Sequence, residues 1–366
     1  MYGHPGCVTG SVLILTTVYG EEILNPSLEN RMARSNLFCA GLLNMSLSRA
    51  FRLGGYYILL VVAAFTFLAG CRRPLSSDTG CTSEVPPDSS PNYIQECSDY
   101  NDPVSPWHVC ITRTKGSASK DVLFYFHGYS NDQCAWLAPG RPGSENRAKV
   151  AEWWKENGKQ APTVVVFSIG RKFLLTPDGG RYPVSWFVKS VLPEIEKKLG
   201  PKEGDYIIWG TSMGGQNAAQ LYMRYPELWD RAILNSPLIP VCDPYAEDGG
   251  AACIRGIATP QIDFLTRESL NLIREFYPTN ESWADADPLK AGPRFLDSNY
   301  PPLLIEVGIA DEFGFYPGTD RFQKIAAEKG VSVEYIVHGV KSGFFWKVPN
   351  HLYFDPGIIA EFIVED

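Results

Sequence analysis

The run Gly210-Thr211-Ser212-Met213-Gly214 sets a serine midway between two glycines, directly behind the apolar stretch Tyr206-Ile207-Ile208-Trp209. The apolar stretch reads as a short strand and 216–225 as the helix that follows. A strand that passes straight into a helix must turn sharply, which lifts the residue at the apex clear of the sheet edge. Gly210 and Gly214 remove the Cβ atoms that would collide in so tight a bend. The helix N-terminus then points free N–H groups at negative charge developing beside Ser212. This arrangement favours nucleophilic attack by the serine hydroxyl. The plainer reading is a glycine-rich loop that happens to hold a serine, since the chain has 33 glycines.

A serine hydroxyl attacks poorly unless a histidine takes its proton, and that histidine needs a carboxylate to fix its tautomer. The chain has five histidines. His4 lies near the start, His108 precedes one predicted strand, and His127 ends another; only His338 and His351 follow the serine. The base is sought between those two. The carboxylate belongs in a loop behind a strand, and Pro302-Leu303-Leu304-Ile305-Glu306-Val307-Gly308-Ile309-Ala310-Asp311 offers Asp311 there. Capping the next helix is the other role open to Asp311, and Asp320 is the reserve acid.

The elements that must position these residues follow from periodicity. Strands are predicted over 109–114, 121–127, 163–169, 205–209, 231–235, 303–307 and 331–337. Helices are predicted over 146–158, with Val150, Trp153 and Trp154 inward, and over 185–199, where Pro193 marks a kink or a fresh first turn. Two more fall at 321–329 and 356–364. Near-continuous apolar strands separated by helices imply an α/β domain with a mostly parallel sheet covered on both faces. The rhythm breaks between Ser236 and Tyr300, where 261–276 is the one helical candidate; 236–300 reads as a partial lid or pocket insertion.

Taken together, Phe126-His127-Gly128-Tyr129, the turn around Ser212, Gly308-Ile309-Ala310-Asp311 and a late histidine resemble the α/β-hydrolase superfamily. The likeness lies near its esterase D, feruloyl-esterase and polyhydroxybutyrate-depolymerase-like esterases and covers roughly 107–366. It implies an α/β-hydrolase fold and the chain order Ser, Asp, His. It also implies an oxyanion hole made by the backbone N–H groups of Tyr129 and Met213, with His127 and Gly128 shaping the turn. Relatives often carry the base in a Gly-x-His-Ser-like turn a few residues after the last strand. The corresponding turn here is His338-Gly339-Val340-Lys341-Ser342, with Lys341 near that position. His351, in Asn350-His351-Leu352-Tyr353-Phe354, resembles the family's His-x-x-Tyr-aromatic arrangement. His351 is the base favoured and His338 the alternative.

The activity implied is hydrolysis of carboxylic esters, small or polymeric, through an acyl-enzyme. Acyl transfer to an alcohol or sugar uses the same triad, and a cell-envelope binding protein could keep the fold without turnover. No metal or organic cofactor is implied. Tyr129, Trp136, Trp186, Phe313, Phe315, Phe344, Phe345 and Trp346 are candidate pocket aromatics, and the Met213 side chain is expected to face the cleft.

Composition bounds the rest. With 366 residues, 45% hydrophobic and 20% charged, the chain accommodates one large α/β domain plus an N-terminal extension. A net charge of −8 without a Lys/Arg stripe argues against a nucleic-acid partner. Residues 56–69 carry no charge and follow Arg49 and Arg52; the stretch is shorter than the ~20 residues of a spanning helix and fits a signal-peptide core. It ends in Leu68-Ala69-Gly70-Cys71, which resembles the lipobox of bacterial lipoproteins, whose cysteine is lipidated; an uncleaved signal anchor is the alternative. Met45 opens a conventional signal, so 1–44 reads as an upstream leader, 45–71 as the signal, 72–106 as a Pro/Ser-rich tether and 107–366 as the catalytic domain. The implied location is the cell envelope, membrane-anchored and facing the periplasm or exterior.

Setting aside Cys7, Cys39 and Cys71 leaves six cysteines, an even count that suits disulfides in an exported chain and allows 15 connectivities. Cys242 and Cys253 bracket a Gly-Gly-Ala-Ala turn and form the favoured pair, while Cys81 and Cys97 are candidates to staple the tether. The absence of any Cys-x-x-Cys argues against a metal site.

Overall fold

A computed structural model describes residues 92–136, 144–257, 260–339, 351 and 354–365, all within the unit Ser77–Asp366. In chain order the strands are β1 (Tyr93–Tyr100), β2 (Trp107–Thr114), β3 (Val122–Phe126), β4 (Thr163–Ser168), β5 (Tyr206–Thr211), β6 (Arg231–Asn235), β7 (Leu303–Gly308) and β8 (Val333–His338). They form one sheet in the order β1-β2-β4-β3-β5-β6-β7-β8. β2 runs antiparallel to both its neighbours, and β3 to β8 are parallel. This order, with a single reversed strand near one edge, is that of the α/β-hydrolase fold.

Side-chain alternation divides the interior in two. Val122, Phe124 and Phe126 of β3 and Tyr206 and Ile208 of β5 face one core. Leu123 and Tyr125, with Ile207 and Trp209, face the other. Because both faces are buried, these strands read as unbroken apolar runs. The helices covering the faces are α1 (Ser144–Glu156), α2 (Leu192–Leu199), α3 (Met213–Arg224), α4 (Ala251–Ile257), α5 (Pro260–Phe276), α6 (Asn280–Ala286), α7 (Pro288–Phe295), α8 (Tyr316–Glu328) and α9 (Pro356–Val364). α1 and α9 share one face, where Trp154 Nε1 donates to the Ala360 carbonyl at 2.9 Å. α2, α3, the insertion helices and α8 contribute to the other.

One expectation is refined and two need correction. The helix over 185–199 is interrupted: a turn at Val184–Trp186 passes through a π-helical turn at Phe187–Val191 before α2 restarts at Leu192. Pro193 thus falls in a first turn, where its missing N–H costs nothing. The tether expected over 72–106 contains β1, so the folded domain starts before Trp107. β1 places Cys97 opposite Cys110, and these two are disulfide-bonded, so Cys97 does not pair with Cys81, which lies outside the described residues. Finally, the insertion over 236–300 holds four helices rather than one. Two of them are started by local caps: the Thr279 side chain accepts from Ser282 N ahead of α6, and Asp287 accepts from Leu289 N ahead of α7.

The favoured Cys242–Cys253 disulfide is present and ties the start of the insertion to α4. Cys134 is disulfide-bonded as well. The leader, the signal with Cys71, and Lys341, Ser342, Phe344, Phe345 and Trp346 lie outside the described residues. Among the described residues, no helix is long and apolar enough to cross a membrane.

Candidate active site

The crevice of a parallel sheet opens at the C-terminal ends of its strands, where chain connections diverge to either face. β3 and β5 are neighbours there, and behind them come His127-Gly128 and Ser212. Ser212 is the N-cap of α3 with φ 57° and ψ −120°, a conformation that costs a non-glycine residue about 1–3 kcal/mol. Its main chain is held firmly: the N–H donates to Asn235 O at 3.0 Å, and its carbonyl accepts from Gln216 N at 3.2 Å and Leu238 N at 2.9 Å. The flanking glycines are sterically required. A Cβ on Gly210 would run into the Gly214 carbonyl, and one on Gly214 into the Phe126 carbonyl.

Gly128 packs directly on this turn, since a Cβ added to it would lie 3.4 Å from the Cβ of Ser212. His127 is fully buried behind it; Nδ1 donates to the Gly128 carbonyl at 2.9 Å and Nε2 lies 3.0 Å from Ser168 Oγ. Met213 is the first residue of α3, so its N–H has no acceptor inside the helix. Its side chain is not in the cleft as expected: it is buried in the core, with Sδ accepting from Phe173 N at 3.3 Å.

A carboxylate–histidine pair is built behind β7. Asp311 follows that strand, buried, and Oδ1 accepts the N–H groups of Phe313 at 2.9 Å and Phe315 at 3.4 Å. Oδ2 accepts from Nδ1 of His351 at 2.6 Å. That bond fixes the imidazole tautomer with its proton on Nδ1 and leaves the Nε2 lone pair available. Nε2 is buried and has no hydrogen-bond partner among the described residues. The ring lies against Phe313 and Phe315, at centroid distances of 4.4 and 5.3 Å. Only β6 separates β5 from β7, a gap of roughly 10 Å that an aspartate and an imidazole in series can bridge. The bond from Ser212 Oγ to His351 Nε2 is not formed; such bonds are often long before substrate binds.

The other candidates fall elsewhere. His338 ends β8, and its Nε2 donates to Glu306 Oε2 at 2.9 Å. Burial pushes the Glu306 carboxyl above its usual range, and the donors His338 and Asp355 N–H pull it part of the way back. Asp320 sits on α8, ion-paired with Lys324 at 2.6 Å. Trp136 is buried in the core under α1, and Trp186 packs on Phe167 and donates to Asp102 Oδ1 at 2.9 Å, so neither lines the cleft. Tyr129 is exposed. Two acids at the site were not singled out from sequence: Glu306, and Glu312, whose Oε2 accepts the main-chain N–H of His351 at 2.6 Å. The signal for Glu306 was a lone carboxylate in the otherwise apolar strand Leu303-Leu304-Ile305-Glu306-Val307.

No family model matches the chain, and no curated protein is similar to it in sequence. Solved structures with related folds include a ferulic acid esterase, 15% identical with a TM-score of 0.47, over 75% of this chain and 98% of that one. The carboxyl esterase 2 of the mycorrhizal fungus Tuber melanosporum is 19% identical with a TM-score of 0.49, over 75% and 85% of the two chains. An S-formylglutathione hydrolase from Agrobacterium tumefaciens is 14% identical with a TM-score of 0.48, over 75% and 94%. The α/β-hydrolase fold follows from the strand order and the single reversed strand.

Proposed function

We propose that the protein is a serine hydrolase that cleaves carboxylic esters through an acyl-enzyme. Ser212 is the nucleophile, His351 the base and Asp311 the residue that orients it. The observation that carries this reading is the buried Asp311–His351 bond of 2.6 Å, in a sheet whose strained turn holds Ser212. In the reaction, Ser212 Oγ attacks the acyl carbon while His351 Nε2 takes its proton. The carbonyl π pair moves onto oxygen, and the oxyanion meets the N–H groups of Met213 and Tyr129. Collapse expels the alcohol, which recovers the proton from His351. Water then repeats the sequence on the acyl-enzyme and releases the acid.

The turn geometry supports the nucleophile assignment, because strain of this kind persists only where the surroundings over-determine it. The Gly128–Ser212 packing supports the oxyanion assignment, since the residue before Tyr129 lies against the turn that carries the nucleophile. The Cys97–Cys110 and Cys242–Cys253 disulfides support a location outside the reducing cytoplasm. With Leu68-Ala69-Gly70-Cys71 as a lipidation signal, the enzyme would be anchored to a membrane through Cys71, after loss of 1–70.

Reaction with a fluorophosphonate tests the proposal. Attack by Ser212 Oγ on phosphorus expels fluoride and leaves a phosphonyl group on the chain, read as an added mass on the peptide containing Ser212. The expected outcome is stoichiometric labelling that Ser212→Ala abolishes. Labelling undiminished in Ser212→Ala contradicts the assignment.

A further inference from the structure

Three carboxylates from one stretch of chain bond the segment that carries His351. Asp311 takes the imidazole proton side, as described. Glu306 Oε2, in β7, accepts the main-chain N–H of Asp355 at 2.9 Å, at the N-cap of α9. Glu312 Oε2 accepts the main-chain N–H of His351 itself at 2.6 Å. His351 lies ahead of α9 and outside any strand or helix. The bond to Asp311 sets the tautomer and the tilt of the ring, but a ring hinged on one bond can still swing with its backbone. Among the described residues, the carboxylate one place after Asp311 holds the backbone at that residue.

We propose that Glu312 is a positioning residue for the proton transfer. By holding the His351 N–H it fixes the distance of Nε2 from Ser212, whereas Asp311 fixes the orientation. This rests on the reading of His351 as the base. The length of the Glu312 side chain is the feature that matters, because it spans from the turn behind β7 to the His351 main chain. Its charge is secondary: a neutral carboxamide oxygen at the same reach also accepts an N–H. A misplacement of about 1 Å in a reacting group can cost on the order of 100-fold in rate.

The experiment is a three-variant series on the full chain with a short-chain aryl ester, normalised by active-site titration with a fluorophosphonate so that only folded, reactive enzyme is counted. Glu312→Ala should lower kcat about 10- to 100-fold with KM within about threefold. Glu312→Asp keeps the charge but loses the reach, and should fall by a similar factor. Glu312→Gln loses the charge but keeps the reach, and should stay within about threefold of the parent. A parental kcat in Glu312→Ala overturns the proposal, as does a series in which Asp restores activity and Gln does not. His351→Ala run alongside separates the two claims: if it is inactive while Glu312→Ala is normal, only the positioning role fails. If His351→Ala is fully active, the reading of the base fails and the positioning role fails with it.

Discussion

The molecule holds two carboxylate–histidine pairs side by side at the end of β7, and their surroundings differ. Asp311–His351 and Glu306–His338 have similar lengths, 2.6 and 2.9 Å, and in both the acid is fully buried. They differ in what surrounds the partner atoms. The second oxygen of Asp311 is occupied by two backbone N–H groups, and the far nitrogen of its histidine is left without a partner among the described residues. In the other pair it is the acid that is left short. Oε1 of Glu306 is buried without a hydrogen-bond partner among the described residues, and Oε2 is shared between His338 and the N–H of Asp355. An acid whose two oxygens are held by fixed donors is oriented to stabilise an imidazolium as it forms. An acid that burial drives toward its neutral form is suited to bracing structure instead. Two carboxylate–histidine pairs of similar length therefore sit in different hydrogen-bonding settings.

Exchanging each acid for its amide should separate the two pairs by the largest factor. Asp311→Asn keeps the shape but no longer enforces the reactive tautomer, and kcat should fall about 10⁴-fold. Glu306→Gln should leave kcat within about threefold. Turnover of an aryl ester reads both, and equal losses in the two variants would erase the distinction.

A smaller effect separates the pairs through pH. Burial raises the Glu306 pKa, so its contribution to stability is full below the ordinary Glu value of about 4.3 and is lost as pH rises through the folded value. Urea unfolding of the parent and Glu306→Gln at a series of pH values should show the parent losing ground to the variant as pH rises above about 4. Parallel curves would mean that Glu306 is not strained by its burial.

The two pairs were unequally visible in the sequence, for physical reasons. The Ser212 turn was legible because its glycines answer a steric demand: Cβ atoms at 210 or 214 collide with backbone, so the pattern carries the geometry with it. Asp311 was legible from its place behind an apolar strand. His351 and His338 stood as alternatives, because partner choice depends on how the chain beyond β8 returns to the sheet, which no local pattern encodes. The roles of Glu306 and Glu312 are not legible locally, since their partners are a histidine ring 32 residues away and main-chain N–H groups 49 and 39 residues away. At the sheet edge, β1 has the half-exposed, polar sequence Tyr-Ile-Gln-Glu-Cys-Ser-Asp-Tyr, and only its pairing with β2 makes it a strand. α4, α6 and α7 are seven or eight residues long, too short for a clear 3.6-residue period, and depend on caps and packing.

The most direct test of the central claim is the side-by-side turnover of His351→Ala and His338→Ala with an aryl ester, on samples shown to be folded by urea titration. His351→Ala should lose about 10⁴-fold or more in kcat. His338→Ala should keep kcat within about threefold while losing about 1–3 kcal/mol of stability, because Glu306 is left buried without its ring donor. Full activity in His351→Ala, or collapse of kcat in a folded His338→Ala, would contradict that claim.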